Sequence, residues 1–328
     1  MAANKASVIL LAKNPGPKFP AIIQAVIDQE TPWAFDILVM DSGSTDGTVE
    51  RIRALPGVRL ETIPPASFGH GRTRNLAISK TAGEFVALIT HDAMPANRRW
   101  LRNLVSAAEQ APDVAGAIGR QLPCPGLNPF IARDMNLFFD QIAAYPSPIF
   151  RIEDRARYNS DESYRQILHF FSNCNSCIRR SVWEKIPFPD VDFAEDQIWA
   201  KKAIEAGYAK AYSNDAAVYH SHDFSIRETA RRAFDEAGAL HRLFGYSLCP
   251  GLDTVARQWL ALTMNDMRFA ARNHLFRRAP RSVLRAPALN MAKMLGYFFG
   301  QRSKRIPKAL SRYLSRDDAI KRGTRKGG

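Results

Sequence analysis

Cysteine is scarce: Cys124, Cys174, Cys177 and Cys249 are the only four in 328 residues, too few for a disulfide scaffold at this length. The pair in "CNSC" (174–177) has metal-ligand spacing, but no second Cys pair accompanies it, so buried thiols are expected rather than structural zinc. Long apolar runs are missing as well. No stretch approaches the roughly 20 uncharged apolar residues that crossing a bilayer requires. The first residues, "MAANKASVILLAKNPG", hold a short apolar run interrupted by Lys13 and Asn14, with no cleavage-like site after it. That sets the expectation of a cytoplasmic protein. A Gly-rich phosphate loop is absent too: "LLAKNPGPK" offers one glycine between prolines, which excludes a dinucleotide fingerprint, and there is no Walker A loop.

Charge is present in excess but in one place. The formal net charge is +14; of the 46 Lys and Arg, 17 fall in 265–328, against three of the 32 acidic residues, which leaves 29 of each sign before that point. A neutral body with a cationic segment points to an anionic surface docked at one end, membrane or nucleic acid. In "RSVLRAPALNMAKMLGYFF", Leu284, Ala288, Met291, Leu295 and Phe298 recur at steps of three or four, while Arg281, Arg285 and Lys293 add charge. Basic amphipathic helices of this kind lie in membrane interfaces; a solvated face on a helical bundle is the plainer alternative. The tail's aromatics, Phe276, Tyr297, Phe298, Phe299 and Tyr313, form no nucleic-acid motif, so an anionic membrane surface and no nucleic acid is the expectation.

The first half alternates. Strand-like runs fall at 7–12 ("SVILLA"), 36–41 ("DILVMD"), 58–63 ("VRLETI") and 84–90 ("EFVALIT"), with amphipathic helical stretches near 18–29, 45–54, 71–81 and 97–110. This predicts an α/β fold, a mostly parallel sheet with helices on both faces and ligands at the carboxyl ends of the strands. After "VAGAIGRQLP" (114–123) come a helix over "NPFIARDMNLFFDQI" and a polar stretch, 151–166, that reads as a mobile loop. "HFFSNCNSCIRRSVWEKIPF" reads as a strand feeding a short helix, "FAEDQIWAKKAIEAGY" as a helix closed by Gly207, and 216–222 ("AAVYHSH") as a last strand. Helices follow at 225–244, 252–276, 281–300 and about 306–314.

Several residues stand where chemistry or plain turn geometry would each explain them. Asp92 follows His91 directly after an apolar run, where Asp often bonds its own backbone. In "VMDSGSTDGT", Asp41 ends a strand; Ser44 or Thr45 would cap the next helix, while Asp41, with Ser42 nearby, would also accept from the imide N–H of a pyrimidine base. "FGHGRTRNLA" sets Arg72, Arg74 and Asn75 at a helix start, an arrangement that favours phosphate oxygens or makes a solvated basic turn. Glu195 and Asp196 open a helix, where the dipole favours carboxylates in any case. His220 and His222, two apart on the expected last strand, project from one face.

In that order the chain resembles the inverting GT-A glycosyltransferases of the large second family, and within it bacterial rhamnosyltransferase-like members. The motifs that carry the resemblance are "DSGSTDGT", "FGHGRTRNLA", "GRQLP", "FSNCNSCIRRSVW" and "DFAEDQIWAKKAIEAGY", and it covers roughly residues 6–235. It implies a GT-A (Rossmann-like) catalytic domain over 1–224, followed by a basic helical region over 225–328. It implies that Asp41 reads the base, that Arg72, Arg74 and Asn75 line the nucleotide and diphosphate side, and that Asn14, Ser42, Ser44, His91 and Asp92 complete the nucleotide-sugar site. "HDA" stands where such enzymes carry an Asp-X-Asp metal motif, with His91 at its first position and Ala93 at its third, so Asp92 is the one carboxylate there. A divalent ion, Mg²⁺ or Mn²⁺, would then be held by Asp92, a histidine of the pair His220 and His222, and the donor diphosphate. Its charge would stabilise the leaving nucleoside diphosphate.

Asp196 is the candidate general base and Glu195 its competitor. The expected activity is inverting transfer of a sugar, with L-rhamnose from its dTDP donor as the reading the resemblance suggests, onto a growing, lipid-linked glycan. The expected site is the inner face of the cell membrane, with the protein held there peripherally. The alternatives are a sugar-nucleotide pyrophosphorylase, whose Gly-rich, Lys-containing first loop is missing here, and a non-enzymatic nucleic-acid binder using the basic tail.

Overall fold

A computed structural model describes residues 4–191 and 193–316. The end of the cationic segment, 317–328, lies outside the described residues. The chain divides into two units, Met1–Cys124 with Met135–Ser221, and Pro125–Asp134 with His222–Gly328.

The first unit is built on nine strands: β1 Ala6–Ala12, β2 Phe35–Asp41, β3 Val58–Thr62, β4 Phe85–Thr90, β5 Met94–Pro95, β6 Val114–Leu122, β7 Ile149–Phe150, β8 Asn175–Arg179 and β9 Ala209–Tyr219. They form one sheet in the order β3-β2-β1-β4-β8-β6-β9-β5, with β7 also on β9. The pairs β1–β2, β2–β3, β1–β4 and β6–β9 are parallel, whereas β8 runs antiparallel to both β4 and β6.

Register decides what gathers at one edge. Ala12 stands opposite Asp41 and Leu11 opposite Thr90, so the ends of β2 and β4 come out flush on either side of β1. Because β8 is reversed, its beginning lies there too: Asn175 pairs with Ile89. Leu122 pairs with Tyr219, which brings the ends of β6 and β9 to the same edge. Asn175, fully buried, stitches this region together: it accepts from Trp100 Nε1 at 2.8 Å and donates to the Arg120 and Ala216 carbonyls at 3.0 and 2.8 Å.

Helices of this unit are α1 Phe19–Ile27, α2 Thr48–Arg53, α3 His70–Ser79, α4 Trp100–Glu109, α5 Pro129–Ala143, α6 Arg155–Ser160, α7 Glu162–His169, α8 Arg180–Trp183 and α9 Glu195–Glu205, with α5 beginning in the other unit. Successive strand residues point to opposite faces, so Val8, Leu10, Phe85 and Ala87 pack with Phe19, Ile23, Trp100 and Leu104, while Ile9, Leu38, Val86 and Leu88 pack with Ile78, Val182, Trp199 and Ala203. Burial on both faces explains why these strands read as near-continuous apolar runs.

Two expectations need correction. The stretch 151–166 is not a loop: α6 and α7 occupy it, capped by the Asp154 and Asp161 side chains, which accept from the Arg157 and Tyr164 amides. Buried Lys210 on β9 fastens the end of α7, donating to the Ile167 carbonyl at 2.6 Å and to the Phe170 carbonyl. The last strand starts earlier than expected and stops at Tyr219, so His220 and His222 follow it rather than lie on it.

The second unit is helical: α10 Ile226–Phe244, α11 Leu252–Arg272, α12 Leu275–Arg278, α13 Pro280–Gly300 and α14 Lys308–Leu314. A capping box, Ser225 with Glu228, opens α10, and Gly245 in the left-handed region closes it. The single helix expected over 252–276 breaks at His274, whose φ is 56°. Helices α10 and α13 touch backbone to backbone at Gly296 and Gly300. A Cβ at Gly296 would meet the Ala230 carbonyl at 2.5 Å and Ala233 Cβ at 2.6 Å, and one at Gly300 would strike the Phe234 carbonyl. The apolar row expected to face a membrane splits: Leu284 is 80% exposed, whereas Met291, Leu295 and Phe298 pack against Cys249, Val255 and Met294. No helix among the described residues is long and apolar enough to cross a membrane.

Candidate active site

The turn after β2 is held by its own carboxylate. Asp41, 1% exposed, accepts from the Gly43 and Ser44 amides at 2.9 Å each and from the Ser44 hydroxyl. Gly43 allows this with a φ of 89°. Ser44 in turn accepts from the Asn14 amide at 2.8 Å, and the Asn14 side chain accepts from the Thr45 amide at 2.7 Å, so the loops after β1 and β2 form one rigid rim. Neither Ser44 nor Thr45 caps α2, whose N-cap is Gly47. Ser42 is buried and donates its hydroxyl to the Ala12 carbonyl.

Helix α3 faces the start of α9. Arg74 donates to Glu195 Oε1 at 2.7 Å and to the His70 carbonyl at 3.1 Å, with both charged residues only 6% exposed. The Asn75 amide is taken up by protein groups: it donates to the Phe188 carbonyl and accepts from the Phe188 amide and Trp183 Nε1. Arg72 stays open, in an exposed pair with Asp190 at 3.1 Å. Of the three polar residues at this helix start, only Arg72 is free to reach outward.

Adjacent Glu195 and Asp196 therefore have different surroundings. Burial opposes ionisation of Glu195, but the Arg74 charge, with His70 and the Asn173 amide, holds it below the usual carboxylate range. Asp196 is half-buried, and its oxygens accept from the Asn173 amide at 3.1 Å and the Gln197 amide at 2.8 Å. Desolvation first and the Glu195 charge second raise its pKa to about 7, a rise that its partial exposure screens. One carboxylate is locked in an ion pair; the other is open and tuned toward neutral pH.

Asp92 lies just past β4, its side chain 30% exposed, with His220 Nε2 at 3.6 Å from its Oδ1. Burial disfavours its charge, yet the hydrogen bond and charge of His220, then Thr90 and His91, hold its carboxyl well below the usual range. Burial would lower His220, but the Cys174 sulfur and Asp92 outweigh it and the imidazole is raised. His220 Nδ1 meets Gln121 Oε1 at 3.2 Å, and the Gln121 amide donates to Ser172 at 3.2 Å, which turns Nε2 toward Asp92. His222 completes a group: one ligand atom each from Asp92, His220 and His222 lie within 4.8 Å of one another. A carboxylate and two imidazoles at that spacing fit a divalent cation that keeps further positions for phosphate oxygens. His91 packs edge-on to Phe19, with Nδ1 3.4 Å from the Leu11 carbonyl, outside that group.

Asn173 and Cys174 connect the two clusters. The Asn173 amide anchors Asp196 and the next side chain contacts His220, so the open carboxylate and the metal-type cluster are bound to consecutive residues at the start of β8. Gln121 and Asn173 had no role read from the sequence beyond membership of "GRQLP" and "FSNCNSC", and Cys174 entered only as an expected buried thiol of "CNSC", which it is.

This arrangement, carboxylates and histidines at one edge of a mixed sheet in which β5, β7 and β8 run reversed, fits what comparison with known proteins finds. The profile of glycosyl transferase family 2 matches residues 7–186. The chain belongs to that family. It is a glycosyltransferase with a GT-A fold followed by helices. It is 32% identical over 316 residues to the O-antigen chain rhamnosyltransferase RfbN of Salmonella typhimurium, covering 95% of this chain and 94% of that protein. It is 30% identical over 292 residues to the O-antigen chain rhamnosyltransferase WbaN of Salmonella anatum, covering 88% and 86%. Among solved structures, the mannosyltransferase PcManGT of Pyrobaculum calidifontis, in complex with GDP-Man and Mn²⁺, superposes with a TM-score of 0.58 at 19% identity, covering 92% of this chain and 87% of that one. TarS 1-349 of S. aureus with UDP-GlcNAc gives 0.51 at 19%, covering 92% and 91%. At such identity the solved structures speak for the fold alone. Family membership displaces the pyrophosphorylase and nucleic-acid-binder alternatives.

Proposed function

We propose that this glycosyltransferase moves L-rhamnose from dTDP-L-rhamnose onto a growing, lipid-linked O-antigen-type glycan, with inversion, at the inner face of the membrane. The sugar and the acceptor class come from the two rhamnosyltransferases it resembles along nearly its whole length. The observation that carries the mechanism is the difference between Glu195, locked by Arg74, and Asp196, which remains open.

Asp196 accepts the proton of the acceptor hydroxyl as that oxygen bonds to the anomeric carbon and the bond from that carbon to the diphosphate oxygen breaks. Glu195 keeps a negative charge beside Asp196 and so raises its basicity. Asp92, His220 and His222 would hold Mg²⁺ or Mn²⁺, the nitrogen donors favouring Mn²⁺, and the ion would supply positive charge beside the leaving diphosphate. The rim of Asn14, Asp41, Ser42 and Ser44 receives the base, with Arg72 toward the phosphates.

The experiment is transfer by the purified protein with a panel of nucleotide sugars and a lipid-linked acceptor, the product's anomeric configuration read by NMR. Turnover with dTDP-L-rhamnose and an anomer inverted from the donor is the expected result. Preference for another donor overturns the sugar assignment, and retention of configuration overturns the single displacement.

A further inference from the structure

We propose that the outer face of α11, continued by α12 and the start of α13, is the surface that docks on an anionic phospholipid bilayer. This rests on the membrane-associated reading above and identifies the residues that make the contact.

Helix α11 has two apolar rows where packing needs one. Its inward row, Val255, Trp259, Leu262 and Ala270, lies in the helical unit's own clusters. A second row, Leu252, Ala256, Leu260 and Met264, recurs at steps of four and therefore shares a face, yet it is exposed: Leu252 65%, Leu260 53% and Met264 43%. Arg257, Arg268 and Arg272 fall beside that row on the helix surface. Exposed Phe276 and Leu284, with Arg277, Arg278 and Arg281, extend the same composition beyond the turn at His274.

Exposed Asp253, next to Leu252, is paired with Arg257 at 2.7 Å; beyond that pair the charge around this row has one sign. Between Thr254 and Arg316 the only acidic residue is Asp266, which is 3% exposed and bound by Arg133 and Asn290. Arg268, Arg272, Arg277, Arg278 and Arg281 are exposed, and their side chains make no ion pair among the described residues. A helix that only needed solubility would mix signs and keep Leu, Met and Phe out of water. Aliphatic side chains flanked by long cationic ones match an acyl layer beneath anionic headgroups, with the arginine stems reaching back to the phosphates. A single-stranded nucleic acid would need stacking platforms, and the row presents aliphatic residues instead.

The test is flotation of the full-length protein with vesicles of phosphatidylcholine alone or mixed with phosphatidylglycerol, comparing wild type, Leu260→Glu with Met264→Glu, and Leu284→Glu. These side chains are exposed, so circular dichroism and rhamnosyl transfer to a water-soluble acceptor should stay unchanged. Wild type is expected to float only with phosphatidylglycerol, more weakly as salt rises. The double variant should bind at least about tenfold more weakly and Leu284→Glu less strongly than wild type, since each loses apolar insertion and meets anionic headgroups with a negative charge. Wild-type flotation by both variants overturns this surface while leaving membrane association intact. No flotation by wild type overturns the membrane reading itself, whatever the transfer assay shows. Stripping of wild type from vesicles by RNA, with RNA binding lost in the double variant, would assign the surface to nucleic acid and overturn the proposal.

Discussion

Asp196 and Glu195 are neighbours in sequence and opposites in environment, and that contrast is measurable. Asp196→Asn keeps the shape and removes the basicity, so kcat should fall about 100-fold or more while donor affinity stays near wild type, as single-turnover and equilibrium binding would read. The base works deprotonated and its pKa is raised to about 7, so wild-type kcat should fall about tenfold per pH unit below that point, and the variant's residual rate should lack this acid limb. A flat wild-type profile between pH 5 and 8 would remove Asp196 from the role. Arg74 makes a different prediction. Arg74→Met leaves Glu195 buried and unpaired, which should cost roughly 3–5 kcal/mol in urea unfolding, whereas Glu195→Met with Arg74→Met together should recover much of it. Gln121 should matter only through His220: Gln121→Leu is expected to weaken Mn²⁺ binding about 10- to 100-fold in calorimetry, with unfolding midpoint unchanged. Asp41 and Asp92 were legible in the sequence because each ends an apolar run. Asn173, Gln121 and the contact of Cys174 with His220 were not, since a polar residue beside a strand end has no periodicity to mark it, and its meaning depends on which distant strand pairs next to it.

At the scale of elements, the close approach of α10 and α13 is the sharpest constraint. Gly300→Val must push the Phe234 carbonyl aside, so thermal unfolding of the helical unit should drop by several degrees, about 2–4 kcal/mol, while Gly126→Ala, with open space around it, should cost less and through backbone strain alone. Equal effects in differential scanning calorimetry would mean the helices tolerate wider spacing. The strands and helices of the first half lay within a few residues of their expected positions because a sheet buried on both faces writes itself as apolar runs. Helices α6 and α7 escaped notice for the opposite reason. Their composition is polar, their caps Asp154 and Asp161 look like loop residues, and their few buried anchors, Tyr158 and Leu168, are too sparse to show a period. The expected membrane-facing row on α13 went astray because a helix packed on three others has apolar residues in several directions, and spacing alone does not say which face stays open.

For the whole molecule, the reversed strand β8 has a consequence for synthesis. β4 is complete at Thr90, yet its second neighbour begins at Asn175, and β6, complete at Leu122, pairs only with β8 and β9. At ribosomal elongation rates of about 5–20 residues per second the intervening stretch takes roughly 4–17 s to make. During that interval "FVALIT" waits with one edge unpaired, and "VAGAIGRQL", made part-way through it, waits with both, open templates for pairing with another chain. The nascent polypeptide therefore carries open strand edges before release from the ribosome, and raising chaperone supply during translation is expected to increase the soluble fraction of the enzyme, as fractionation of expressing cells would read.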